Sequence, residues 1–113
     1  MIKGKIVLVP FPFDDFSSTK VRPAVCLTNS IGTHRHVILA FISSQIPTDL
    51  LETDLILNSK DMDFAATGLR ISSSLRLHRL ITVTVSLFKR ELGTLPLRIQ
   101  SEIDNKIKKL FNL

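Results

Sequence analysis

The sequence predicts a single, mainly β domain spanning residues 1–113 and closed by one C-terminal helix. Three observations predict it. Short apolar, β-branched runs alternate with Pro, Gly and polar clusters over the first half of the chain. Leu75 to Val85 then alternates apolar and polar residues with a period of two. Apolar residues recur every three or four positions only after Pro96. Strands that precede one helix, with no strand–helix alternation, exclude a doubly wound sheet. They favour a small, strongly bent sheet or barrel capped by that helix.

The elements follow in order. Lys5 to Val9 is a buried strand stopped by Pro10 and Pro12. Phe13 to Lys20 is a polar loop, and Pro23 to Thr28 is the second strand. Asn29-Ser30-Ile31-Gly32-Thr33 supplies turn chemistry. His36 to Ile42 is apolar almost throughout and changes abruptly to Ser43-Ser44-Gln45. Thr53 to Leu57 is a fourth strand. Asn58 to Gly68 is a connection with a short helical turn around Met62 to Ala66. In Leu75 to Val85, Leu75, Leu77, Ile81, Val83 and Val85 share one parity, and Arg76, His78, Thr82 and Thr84 share the other. Arg79-Leu80 interrupts the pattern, so a bulge or bend is expected between two shorter strands. After Pro96, Leu97, Ile99, Ile103, Ile107, Leu110 and Phe111 form an apolar helical stripe.

Composition narrows the class. A chain of 113 residues can bury a real core without staples. The single cysteine, Cys26, lies in an apolar run and reads as a small buried hydrophobe of a reducing compartment. Lys3, Lys5 and the Pro-Phe-Pro break argue against a signal peptide, and no apolar run is long enough to span a membrane. A soluble, cytoplasmic protein is expected. The net charge is +5. Between Asp63 and Glu91 there is no acidic residue, while Arg70, Arg76, Arg79, Lys89 and Arg90 fall there. Asp49, Glu52, Asp54, Asp61 and Asp63 cluster just upstream. A basic face that attracts polyanions and ordinary surface scatter explain this asymmetry about equally well.

Three places could carry chemistry. Arg22 sits at the mouth of the second strand, two residues after Lys20. A guanidinium beside a core is costly unless it meets an anion, and a phosphate fits its planar fork. Its plainer role is a surface ion pair with Asp14 or Asp15. Ser43 ends the third strand with Ser44 and Gln45 beside it. It could donate to a phosphate oxygen or simply satisfy nearby backbone. Arg76 and His78, two apart on a strand, could share a face, binding phosphate and moving a proton. Their plainer role, a solvated strand face, is the stronger reading of these residues taken alone. His34 and His36 lack a third neighbouring metal ligand, and an Asp61–Asp63 carboxylate site has nothing further to recommend it. Neither a Gly-rich phosphate loop nor a nucleophile elbow is present. With no Tyr or Trp, base stacking would fall to phenylalanine, with Phe16 in the loop a candidate.

Four segments together resemble the MazF/PemK family of toxin endoribonucleases: Gly4-Lys5-Ile6-Val7-Leu8-Val9-Pro10-Phe11-Pro12-Phe13, Ser17-Ser18-Thr19-Lys20-Val21-Arg22-Pro23-Ala24-Val25, Ala40-Phe41-Ile42-Ser43-Ser44-Gln45, and Gly68-Leu69-Arg70 through Ser74 to Val83. The resemblance implies an SH3-like barrel with a C-terminal helix, acting as a homodimer. It implies cleavage of single-stranded RNA with neither metal nor other cofactor, by attack of the ribose 2′-hydroxyl on the adjacent phosphorus. The products would be a 2′,3′-cyclic phosphate and a 5′-hydroxyl. The implied protein partner is a cognate antitoxin whose acidic, flexible segment covers the RNA groove, with operator DNA bound only by the toxin–antitoxin complex. Arg22 matches the family's catalytic arginine, Ser43 falls where threonine is common, and His78 falls where many members have aspartate. These three form the expected catalytic set. Ser18, Thr19, Lys20, Ser44, Gln45 and Arg76 are the expected RNA contacts. Arginine is an awkward general base because it stays protonated, so the resemblance and the chemistry together assign Arg22 to electrostatic stabilisation or proton donation. His78 is the candidate base.

Two competing readings remain. A gyrase-poisoning toxin of the CcdB type has a similar fold, but depends on a C-terminal tryptophan that this chain lacks. A catalytically silent relative that only binds nucleic acid or antitoxin is the other, kept open by Ser43 and His78.

Overall fold

A computed structural model describes residues 1–10 and 20–113. Phe13 to Thr19, and with them Asp14, Asp15, Phe16, Ser17, Ser18 and Thr19, lie outside the described residues. Six strands form one antiparallel sheet: β1 (Lys5–Pro10), β2 (Val21–Cys26), β3 (His36–Ser43), β4 (Asp54–Leu57), β5 (Ser73–Thr84) and β6 (Arg90–Thr94). Their order across the sheet is β4-β5-β3-β2-β1-β6. The helix α1 (Leu97–Leu110) follows directly. The mainly β class with a terminal helix is therefore correct, and the barrel takes the form of a bent, six-stranded half-barrel.

The central strands are apolar on both faces because both faces are covered. On one face Ile6, Val25, Ala40, Ile42, Leu75 and Leu77 pack against Ile99 and Ile103 of α1. On the other, Val7, Val9, Ala24, Cys26, Val37, Leu39 and Val83 form a second cluster, with Val85 and Phe88 packed against it. Cys26 belongs to this second core. Burial, with a smaller push from the Glu91 charge, raises its thiol to about 11. It is a packing residue.

The expected break in β5 exists, but inside one strand. Ala40 pairs with Leu80, whereas Ile42 pairs with Leu75. Phe41 alone spans that interval on β3, while Arg76, Leu77, His78 and Arg79 span it on β5. A surplus of three residues is odd, so it exchanges the two faces of the strand. The single parity drawn through Leu75 to Val85 thus does not share one face. Leu75 and Leu77 join the helix-side core, while Ile81 and Val83 join the other.

One strand went unidentified in the sequence, and one further expectation needs correction. β6 carries no apolar pattern because it is an edge strand with Arg90, Glu91 and Thr94 exposed. The helical stripe is narrower than its spacing implies: Leu97 is 82% and Phe111 56% exposed, so the ends of α1 do not reach the core. Charge adds to the packing of Ile99 and Ile103. Arg98 donates to Asp63 at 2.7 and 2.8 Å and to Asp61 at 3.2 Å, and Lys109 pairs with Glu52 at 3.1 Å. The helical turn sits at Phe64–Thr67 and ends on Gly68 at φ 73°.

That turn touches β6 closely. A Cβ on Gly93 would overlap the Ala66 carbonyl oxygen and meet the Thr67 carbonyl carbon at 2.6 Å. Backbone cannot yield as a side chain can, so Gly93→Ala should cost about 1–3 kcal/mol. Urea denaturation of the variant beside the parent checks this; an unchanged midpoint would mean the turn moves freely.

Candidate active site

Strand alternation gathers the site on the face opposite α1. Arg22 shares a face with Ala24 and Cys26, which belong to the second core. Ala24 pairs with Phe41, so two residues further along each strand Arg22 comes across from Ser43. Ser43 pairs with Ser74, and Asp54 on β4 pairs with Arg76. Arg22, Phe41, Ser43 and Arg76 line one cleft of about 250 Å³ with Ile42, Ser44, Gln45 and Arg79. Three guanidinium groups and a run of hydroxyl and amide side chains face this space. None of the described residues lining it is acidic.

Arg76 is held there by a fixed ion pair. Its Nε donates to Asp54 Oδ1 at 3.0 Å and its Nη2 to Oδ2 at 3.2 Å. The Asp54 side chain is wholly buried and Arg76 is 30% exposed. Asp54 Oδ2 also accepts the Leu51 N–H at 2.8 Å. Burial alone pushes the Asp54 carboxyl up. The Arg76 and Leu51 hydrogen bonds and the Arg76 charge outweigh it, with a further contribution from His78, and hold the group below the usual carboxylate range. The pair uses two of the five guanidinium N–H donors. The rest can address an anion in the cleft. Arg76 is thus not merely part of a solvated face.

Ser43 performs its plainer role and retains capacity for another. Its Oγ accepts the Gln45 N–H at 3.1 Å, which leaves its own hydrogen to donate. Below it, buried Ser74 donates to the Gln45 carbonyl at 3.0 Å and fixes the turn.

The structure brings together Arg22, Ser43, Ser44, Gln45 and Arg76 from the expected set. Lys20 is exposed just ahead of β2 and is not among the cleft-lining residues. His78 is exposed and lines a neighbouring hollow with Phe41, Arg79 and Leu80. The surplus residues of β5 therefore part it from the cleft that receives Arg76. Sequence reasoning did not place Asp54, Phe41 or Arg79 in the site. The Arg79-Leu80 interruption was the available signal for Arg79. Asp54 becomes visible only once the β4–β5 register is known. His34 and His36 lie with ring centroids 6.0 Å apart, and no group of three His, Cys, Asp or Glu gathers among the described residues.

Fold and site together define a small half-barrel protein with a cationic, hydroxyl-lined cleft suited to a polyanion. Residues 2–111 match the family described as PemK-like, MazF-like toxin of type II toxin-antitoxin system. The chain belongs to that family. No curated protein sequence matches it. Among solved structures it is similar to Mycobacterium tuberculosis toxin MazF-mt6, with 21% identity, a TM-score of 0.73 and coverage of 96% of this chain and 97% of that one. It is also similar to an endoribonuclease in complex with its cognate antitoxin from Mycobacterial species. There the identity is 12%, the TM-score 0.75, and coverage 100% of this chain and 96% of that one. At these identities the likeness concerns the fold.

The Asp54–Arg76 pair has a signature in pH. A carboxyl whose folded pKa is depressed stabilises the fold fully above its unfolded value, about 3.9. That contribution disappears as pH falls through the folded pKa. Asp54→Asn should lower stability at pH 7 by about 2 kcal/mol and lose less than the parent on going below about pH 4. Urea titrations at both pH values test this; an equal acid loss in both proteins would assign the effect elsewhere.

Proposed function

We propose that this toxin is a sequence-specific endoribonuclease that cuts single-stranded RNA without a metal. The observation that carries the reading is the convergence of Arg22, Arg76 and Arg79 on one cleft with Ser43, Ser44 and Gln45. Family membership and the endoribonuclease among the structural neighbours support it. The cognate partner is an antitoxin whose acidic segment competes for the same cationic cleft, and the toxin acts as a homodimer. Operator DNA is bound only with the antitoxin.

In this mechanism the ribose 2′-oxygen forms a bond to the adjacent phosphorus while the bond from phosphorus to the 5′-oxygen breaks. The 2′-hydroxyl proton passes to a base and the 5′-oxygen receives one, leaving a 2′,3′-cyclic phosphate and a 5′-hydroxyl. Negative charge builds on the phosphoryl oxygens in between. Preplaced donors stabilise that charge most, because they need not reorganise. In this reading Arg22 and the Ser43 hydroxyl, which both line the cleft, take this role, and Arg76, braced by Asp54, positions the phosphate. Ser44, Gln45 and Lys20 extend the contact surface, and the resemblance adds Ser18 and Thr19. His78 is the proposed base, from the neighbouring hollow that shares Phe41 and Arg79 with the cleft.

Incubation with a long single-stranded RNA in EDTA, with the product ends mapped, tests the reading. Discrete cuts bearing cyclic phosphates are expected, reduced roughly 100- to 1,000-fold in Arg22→Ala. No cutting of a long and varied RNA would overturn it. His78→Ala should lower cleavage and flatten its dependence on pH; an unchanged profile would remove His78 as the base.

A further inference from the structure

We infer that the hollow formed by Phe41, His78, Arg79 and Leu80 is a nucleobase subsite that sets which base is accepted beside the cut phosphate. The inference rests on the endoribonuclease reading and specifies how it selects sequence. The hollow measures about 260 Å³, as large as the cleft itself, and shares Phe41 and Arg79 with it. A strand that fills the cleft with its phosphate must carry its next group across that shared wall.

The two spaces differ in chemistry as a nucleotide does. The cleft is lined mainly by cations, hydroxyls and an amide, which suit a phosphate and ribose. The hollow offers an aromatic ring and a leucine for the face of a base and one guanidinium for its edge, beside the His78 imidazole. Phe41 is suited to be the platform because it is half-buried and packed against the second core, which limits its movement. Phe64 is buried in the helix-side core and Phe88 packs against the second, so neither offers a ring at the cleft. The hollow exists because β5 carries four residues opposite Phe41 alone. That arch sends Arg79 to the shared wall and His78 to the far side.

Two measurements test this. Cut sites on a long single-stranded RNA are mapped for the parent and for Phe41→Leu, which keeps an apolar side chain but removes the ring. Among the cuts that remain, preference for a base at one position next to the cut should fall severalfold, because stacking strength differs modestly between bases. Separately, the parent is titrated with the four nucleoside monophosphates and with ribose 5-phosphate, read by NMR. The nucleotides should shift Leu80 signals as well as those of the cleft; ribose 5-phosphate should shift those of the Arg22–Ser43 cleft and leave Leu80 unmoved. Unchanged preference in Phe41→Leu, or nucleotides that leave Leu80 unmoved, would overturn the subsite and leave the nuclease reading intact. A side chain of a protein partner as the occupant gives that second result. Nucleotide-induced shifts in a protein that cuts no RNA would sustain the subsite and overturn the nuclease.

Discussion

Between Ala40 and Ile42, one residue of β3 faces four of β5. Almost everything distinctive about the molecule depends on that mismatch. An odd surplus turns the strand over, so β5 serves the helix-side core with Leu75 and Leu77 and the opposite core with Ile81 and Val83. A regular strand with this sequence would put all four on one face and leave the other core without its share. The same surplus raises an arch over Phe41 and delivers Arg76 and Arg79 to the cleft. Packing and site geometry are thus one solution to one constraint. A change that restored regular pairing would damage both.

The Asp54–Arg76 pair answers a second difficulty. A cationic cleft repels its own components when empty, and a long arginine side chain loses considerable rotamer freedom on binding. Asp54 relieves both. It supplies a countercharge from beneath, and its two oxygens hold the guanidinium plane before any ligand arrives. Because Asp54 itself is buried, it balances charge without offering a carboxylate to the cleft. The acidic run from Asp49 to Asp63 is used similarly elsewhere. Asp61 and Asp63 hold Arg98, and Glu52 holds Lys109, so these acids pin the helix. The charge asymmetry visible in the sequence is therefore partly structural, with acids spent on anchoring.

Much of the fold was legible because it follows from local chemistry. The apolar runs of β1 to β4 and the helix after Pro96 are encoded by neighbours in sequence. β6 was not legible, since an exposed edge strand needs no pattern, and neither were the exposed ends of α1. The exchange of faces in β5 was hidden for a different reason. Arg79-Leu80 signals a break, but the number of surplus residues is fixed by pairing with β3, which no local pattern reports. The site divides along the same line. Arg22 at a strand mouth and Ser43 at an abrupt change of polarity could be picked out directly. Asp54 looked like one acid among five, and Phe41 like core. Their roles exist only across strands.

The same distinction explains why Arg76 and His78, two residues apart, part company. Equal spacing on a regular strand would place both on the phosphate. Inside an irregular arch, spacing no longer fixes direction, and His78 turns toward the second hollow while Arg76 stays with Asp54. The imidazole there lies beyond the Phe41 and Arg79 that the hollow shares with the cleft. For transfer of a phosphoryl group from one oxygen to another, donors and acceptors are needed on both sides of phosphorus, because the incoming and departing oxygens lie roughly in line. A groove with all its polar groups on one wall could bind RNA but would leave one of those oxygens unattended. The bulge converts a flat row of side chains into two adjoining hollows that share Phe41 and Arg79, one cationic and hydroxyl-lined, the other holding His78.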